Sequence, residues 1–241
     1  MEGGTCMKTK RIFSTELAYL AGLLTLALGT ALMVAADFGV SMVVAPPYLL
    51  YLKIAQHLPW FTFGMSQYLF QTILLLGMVA ALRRFRPTYL FALPASLFYG
   101  LFLDGCTLFL RLFPCTGMAA RVIFYALGLL VCAFGVALLF HAYFTPEVYE
   151  LIVLEVSRKW GFAAHRCKTV YDCISCLVGV ALSFAFFGAG HFVGVRLGTV
   201  LCALVNGPLI GLCSRGLERH WQFRDCLPYR RVFQGQTAEQ K

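Results

Sequence analysis

Apolar residues in this chain do not alternate with polar ones; they run together. Six stretches, about 15–36, 64–82, 88–110, 122–142, 169–188 and 195–214, carry almost no charge. A helix rises about 1.5 Å per residue, so about 20 residues cover a hydrocarbon core of about 30 Å, and each stretch is long enough to cross. The alternating pattern of a β-barrel strand is absent, which leaves helices as the spanning element. Two shorter segments sit between spans. Pro46-Pro47 opens one, about 46–57, because proline's missing N–H falls in a first turn where none is needed. Thr145-Pro146-Glu147 opens the other, about 146–159, with a capping hydroxyl, an early proline and an acid near the positive end of the dipole. Glu147, Glu150, Glu155 and Arg158 fall within an arc of about 140°, interrupted by Leu151 and Leu154. Either short helix can lie on the membrane surface or enter the bilayer part-way; the surface placement is the plainer expectation.

The chain repeats itself. Gly22–Met33 and Gly128–Leu139 agree at seven of twelve positions. Thr88, Leu90, Ala92, Leu93, Gly100 and Leu101 recur as Thr199, Leu201, Ala203, Leu204, Gly211 and Leu212. The offsets, 106 and 111 residues, are nearly constant, so two homologous units are expected at 15–110 and 121–214. Residues 1–14 would then be an N-terminal segment, and 215–241 a basic tail lying on the membrane surface. The first span follows Lys8, Lys10 and Arg11, as in a signal peptide, but its apolar run is too long and its copy lies mid-chain.

Charge orients the spans. With the N-terminus in the cytoplasm, 16 of the 20 Lys and Arg residues fall on the cytoplasmic side, and only Lys53, Arg111, Arg121 and Arg196 on the other. Both termini are therefore expected in the cytoplasm. The net charge of +9 is explained by a basic face against anionic lipid, with no nucleic-acid partner. Three crossings per unit make the two units inverted, an architecture common among secondary transporters. The fold expected is all-α: two inverted three-helix repeats, each with a short interfacial or re-entrant helix. Composition agrees, with 60% hydrophobic and 13% charged residues against about 45–50% and 25% in soluble domains.

Candidate chemistry is sparse. Pro94 and the triplet Asn206-Gly207-Pro208 fall inside the third span of each unit, where a broken helix would free carbonyls for a bound solute. An ionisable or strongly polar side chain within a span is costly and points to function. Gln67, Gln71 and Asp172 qualify, and the repeat alignment sets Gln71 beside Asp172; a pairing of Asp172 with Lys168 is the plainer alternative. A solute site is expected from Gln67, Gln71, Pro94, Ser96, Tyr99, Asp172, Asn206, Gly207 and Pro208. Asp104, Asp37 and His141 lie near span ends, where capping or interfacial roles suffice. Cys173 and Cys176 have redox or metal spacing, yet on a helix they simply share a face, and no histidine pair completes a zinc set. No metal, cofactor or catalytic set is expected.

Ala36-Asp-Phe-Gly-Val-Ser41 and Leu197–Gly207 resemble the YczE/YitT-like bacterial membrane proteins over about 15–214, with Met42-Val43-Val44 in place of a Pro-Trp-Asp-like continuation. The resemblance implies a multi-pass protein of a bacterial cytoplasmic membrane. Two functions remain open: a small secondary transporter for a small polar solute or cation, and an accessory or sensory protein working through a protein partner. The lipid bilayer is the one partner expected in either case, and a homo-oligomer is compatible with both.

Overall fold

A computed structural model describes residues 11–113, 117–142, 147–162, 164–188 and 196–224. Within them the chain forms α1 (Thr15–Ala36), α2 (Ala45–Ile54), α3 (Phe63–Leu82), α4 (Ala92–Leu110), α5 (Met118–Phe140), α6 (Val148–Trp160), α7 (Ala164–Phe187) and α8 (Leu197–His220), with a 3-10 turn at Pro87–Phe91 leading into α4. Six of these helices, all but α2 and α6, are long and apolar enough to cross a bilayer. The architecture is that of an all-helical, multi-pass membrane protein. One short parallel strand pair, β1 (Arg11–Ser14) with β2 (Trp221–Arg224), joins the start of α1 to the end of α8. Both ends thus lie on one face, called here the terminal face. Residues 1–10, most of the basic tail and the Thr145-Pro146 helix start lie outside the described residues.

Polar side chains at the helix ends mark where each span stops. Ser14 accepts a hydrogen bond from the Leu17 amide at 3.3 Å and so caps α1. Asp37 ends that helix in the left-handed region, at φ 54°, which Asp tolerates better than most residues. Thr62 caps α3 by accepting from the Met65 amide at 3.2 Å. Asp104, on the neighbouring α4, reinforces that cap: the Thr62 hydroxyl and the Gly64 amide donate to its carboxylate at 2.6 and 2.7 Å. A carboxylate there also faces the positive end of the helix dipole, so Asp104 has a structural role.

With lipid outside, interhelical packing depends on close backbone approach at small residues. The centre of the bundle is the antiparallel pair α1–α5. A Cβ on Gly29 would lie 2.5 Å from the Cys132 amide nitrogen, and one on Gly135 would lie 2.7 Å from that of Leu26. Gly29 meets Gly128 and Gly22 meets Gly135, so the two repeated segments cross each other head to tail. α3 and α4 close on each other where Gly64 touches Gly100. α5 and α8 run side by side in the same direction. Tyr125 donates to the Gly198 carbonyl near their starts, and His141 reaches Glu218 at 3.3 Å near their ends.

α6 does not lie on a surface. Its first turn sits beside Gln71, about halfway along α3, where the Val148 amide donates to Gln71 Oε1 at 3.4 Å. Its last turn reaches the terminal face, where Lys159 Nζ donates to the carbonyls of Ala81 and Leu82 at 3.4 Å. Val148 and Leu151 are 0% and 2% exposed. This is the re-entrant placement, a half-helix that starts mid-bundle, and it replaces the surface placement that the amphipathic pattern favoured. α2 is the counterpart from the far face. Pro46 and Pro47 are buried at its start, and the Ser66 hydroxyl donates to the Pro47 carbonyl at 2.7 Å. Toward its end, Tyr51 lies 3.4 Å from the guanidinium of Arg111, which caps the far end of α4.

The prolines do not break the spans as their positions suggested. Pro94 is in the first turn of α4, directly after the 3-10 turn, where no amide donor is needed, and it faces outward. Pro208 lies inside a helix that runs uninterrupted from Leu197 to His220, and it too is exposed. The two prolines therefore hold unlike places in their helices.

A candidate solute site between two half-helices

The starts of α2 and α6 converge on one cavity of about 170 Å3 near the middle of the bundle. Ser41 to Val44 border it from the α2 side, and Glu147 and Tyr149 from the α6 side. α1 contributes Leu26, Thr30 and Met33, and α5 contributes Cys132 and Val136. Gln67, Tyr99, Asp172 and Asn206 complete its polar lining.

Each polar wall is fixed by bonds behind it. Gln71 is 2% exposed and acts as a clamp: its Nε2 donates to Glu147 Oε2 at 3.0 Å, while its Oε1 accepts from the Ser96 hydroxyl and the Val148 amide. This pins the first turn of α6 and turns Glu147, 6% exposed, toward the cavity. The Ser96 hydroxyl also donates to the Ala92 carbonyl at 2.9 Å. On another wall the Tyr99 and Thr30 hydroxyls lie 3.1 Å apart, joining α4 to α1. Two acceptors are left over: among the described residues, Gln67 Oε1 and Asn206 Oδ1 are buried without a hydrogen-bond partner. Buried polar atoms are nearly always satisfied, so two leftover acceptors on one cavity leave room for a donor.

The expected site residues therefore divide. Gln67, Tyr99, Asp172, Asn206 and Gly207 line the cavity. Gln71 and Ser96 stand behind the wall and hold it. Pro94 and Pro208 face away from it. Gln71, which the repeat alignment sets at the position of Asp172, bonds Glu147 and Ser96. The Lys168 side chain lies outside what is described. Glu147 was missed because it reads as an ordinary acid at a helix start. Its signal was there in part, since a helix following Thr145-Pro146 has to begin at Glu147 wherever the helix lies.

Two ion clusters stand at the ends of the molecule. At the far face Asp37 Oδ2 lies 2.5 Å from Arg121 and 2.7 Å from Arg196, tying the ends of α1, α5 and α8 together. Near the terminal face Glu155, 8% exposed, accepts from the Tyr89 hydroxyl at 2.8 Å and lies 3.3 and 3.8 Å from Arg158 and Arg86. Cys173 is exposed on α7 and Cys176 is half-buried. Among the described residues no group of three or more His, Cys, Asp or Glu is placed to hold a metal ion.

The sequence profile of a family of unknown function, DUF6198, matches residues 13–215. No curated protein and no solved structure matches the chain.

Proposed function

The chain belongs to the DUF6198 family, whose description carries no activity, and we propose from its geometry that it is a small secondary transporter for a small polar solute or cation. The observation that carries this reading is the cavity itself. Two half-helices enter from opposite faces and bring their first turns to one polar, central site. Central sites built at interrupted or half-length helices are the common arrangement in secondary transporters. The crossed contacts Gly22–Gly135 and Gly29–Gly128 support an inverted pair of units, because a two-fold axis exchanges the two contacts. The likeness to YczE/YitT-like proteins belongs to the same reading. So does a bacterial cytoplasmic membrane, with the terminal face, which bears Arg83, Arg84, Arg86, Arg158 and Lys159, on the cytoplasmic side.

In this reading the two ion clusters close the two approaches. The Asp37 cluster seals the outer approach, and the Glu155 cluster seals the inner one. Opening one while the other holds would expose the central site to one side at a time. No catalytic set enters the account, and the partners are the bilayer and the solute. The accessory reading, which depends on the basic tail, gains no observation here.

Purified protein in liposomes tests the proposal directly. The wild type should take up at least one solute from a panel of small cations and polar neutral compounds, and Asn206→Leu, which fills the cavity wall, should abolish that uptake. Equal leakage with wild type and variant across the panel would end the transporter reading.

A further inference from the structure

The transporter reading names no solute class, and the following inference rests on that reading. We propose that the cavity recognises its solute through one uncharged group that donates and accepts hydrogen bonds side by side, a carboxamide or a urea, paired with the side-chain amides of Gln67 and Asn206.

Two glutamines stand one turn apart on the same face of α3 and differ completely in how they are used. Gln71 is spent on Glu147, Ser96 and Val148. Gln67, equally buried at 2% exposed, faces the cavity, and its side-chain amide makes no hydrogen bond among the described residues. Asn206 faces the same space from α8; its amide is likewise unused, and its Oδ1 is buried. The other polar groups on the wall are engaged. Thr30 and Tyr99 bond each other, the Cys132 thiol donates to the Leu26 carbonyl at 3.7 Å, and Cys202 bonds the Ser41 hydroxyl. Glu147, Tyr149 and Asp172 each have an interaction within the protein. Recognition thus falls to the two groups left open, and both are primary amides.

A primary amide carries two N–H donors and a carbonyl acceptor, so only a partner that offers both satisfies it. A carboxamide or urea does so in one plane, N–H to oxygen and oxygen to N–H at once. The match holds whichever way round either side chain is turned, because donor and acceptor merely exchange. An ammonium group brings donors only and would leave the amide nitrogens unpaired; a carboxylate brings acceptors only and would leave the oxygens unpaired. Much of the remaining wall is apolar, with Leu26, Met33, Val43, Val136 and Ile210, and suits a short alkyl body. At about 30 Å3 for each water-sized group, 170 Å3 holds about five or six of them, the size of propionamide or ethylurea.

Thermal stability of the purified full-length protein in detergent is the first arm. Propionamide and ethylurea at millimolar concentration are compared with propionate, propylammonium and butanone at equal concentration and ionic strength. At least one of the two amide compounds should raise the melting temperature, and the three others should not. Gln67→Met and Asn206→Leu, which keep side-chain size and remove the amide, should each weaken that binding about tenfold. Where one of them fails to fold, the other carries the comparison. Stabilisation by propionate, propylammonium or butanone as strong as by the amides, by no probe at all, or equal in wild type and variants, would overturn the proposal. Uptake of labelled ethylurea into liposomes, in excess of that into protein-free liposomes, is the second arm. Amide binding without uptake would remove the transport reading and leave the amide site standing. Uptake confined to a charged solute, blocked by Asn206→Leu, would keep transport and overturn the amide site.

Discussion

α3 and α4 close on each other, whereas α7 and α8, which hold the same places in the second half of the chain, barely touch among the described residues. The cause is visible in the glycines. A Cβ on Gly64 would collide with the Gly100 carbonyl, so that contact exists only because both positions lack a side chain. On α8, a Cβ on Gly207, Gly211 or Gly216 would meet nothing within 4 Å among the described residues. Correspondingly, 33% and 28% of the apolar stretches of α3 and α4 are buried, against 17% and 11% for α7 and α8. The tight pair carries the clamp, Gln71 and Ser96. The loose pair contributes Asp172, Ala203, Asn206 and Gly207 to the cavity wall, and Ala203 and Gly207 are exposed. α3 and α4 thus form the tightly packed wall of the cavity, and α7 and α8 its loosely packed wall.

The sharpest way to break this comparison is to fill one glycine in each pair. Gly64→Leu drives a side chain into backbone, which costs about 3 kcal/mol or more because a packed contact cannot yield. It should abolish the monodisperse peak in size-exclusion chromatography, whereas Gly211→Leu should leave that peak intact. Next in size is the clamp. Gln71→Leu strips partners from the Glu147 carboxylate and the Val148 amide, at about 1–3 kcal/mol for each buried group left unsatisfied. Thermal melting should fall clearly, and limited proteolysis should cut first near α6.

The two ion clusters give a smaller, graded pair. Glu155 is 8% exposed with three partners, so Glu155→Gln should cost about 1–3 kcal/mol. Asp37 has a side chain that is 51% exposed, and Asp37→Asn should cost under about 1 kcal/mol. Melting temperatures measured side by side check the order, and a larger loss at Asp37 would reverse it. Smallest is Gly211→Ala, which adds a methyl into open space and gains helix propensity of about 0.5–1 kcal/mol. A melting temperature that rises slightly or stays level fits the loose pair; a marked fall would mean that something packs there.

The spans were legible in the sequence because an uncharged run of about twenty residues has one physical meaning. The first was expected at 15–36 and is Thr15–Ala36; the sixth was cut short at 214 and continues to His220, because Arg215 and Arg219 look like an end although the helix bonds persist past them. Depth was not legible. Glu147 and Glu155 give α6 the pattern of a surface helix, yet Gln71 meets one and Tyr89 with two arginines meets the other. Arg158 is local, but Gln71, Tyr89 and Arg86 are 66 to 76 residues away, and no local pattern announces them. Gln67, Tyr99, Asp172 and Asn206 were found because polar groups in apolar runs are conspicuous. Pro94 and Pro208 misled because proline marks a position along a helix and says nothing about which face it takes.

The claim on which the cavity depends is that α6 begins mid-bundle, against the middle of α3. A cysteine-depleted protein carrying Gln71→Cys and Val148→Cys measures this most directly, by oxidation or bridging with a short bifunctional thiol reagent in native membranes. The account predicts rapid cross-linking of that pair and none for Gln71→Cys with Trp160→Cys, at the other end of the helix. Cross-linking of the Trp160 pair, with the Val148 pair unreactive, would place α6 the other way round and remove Glu147 from the central cavity.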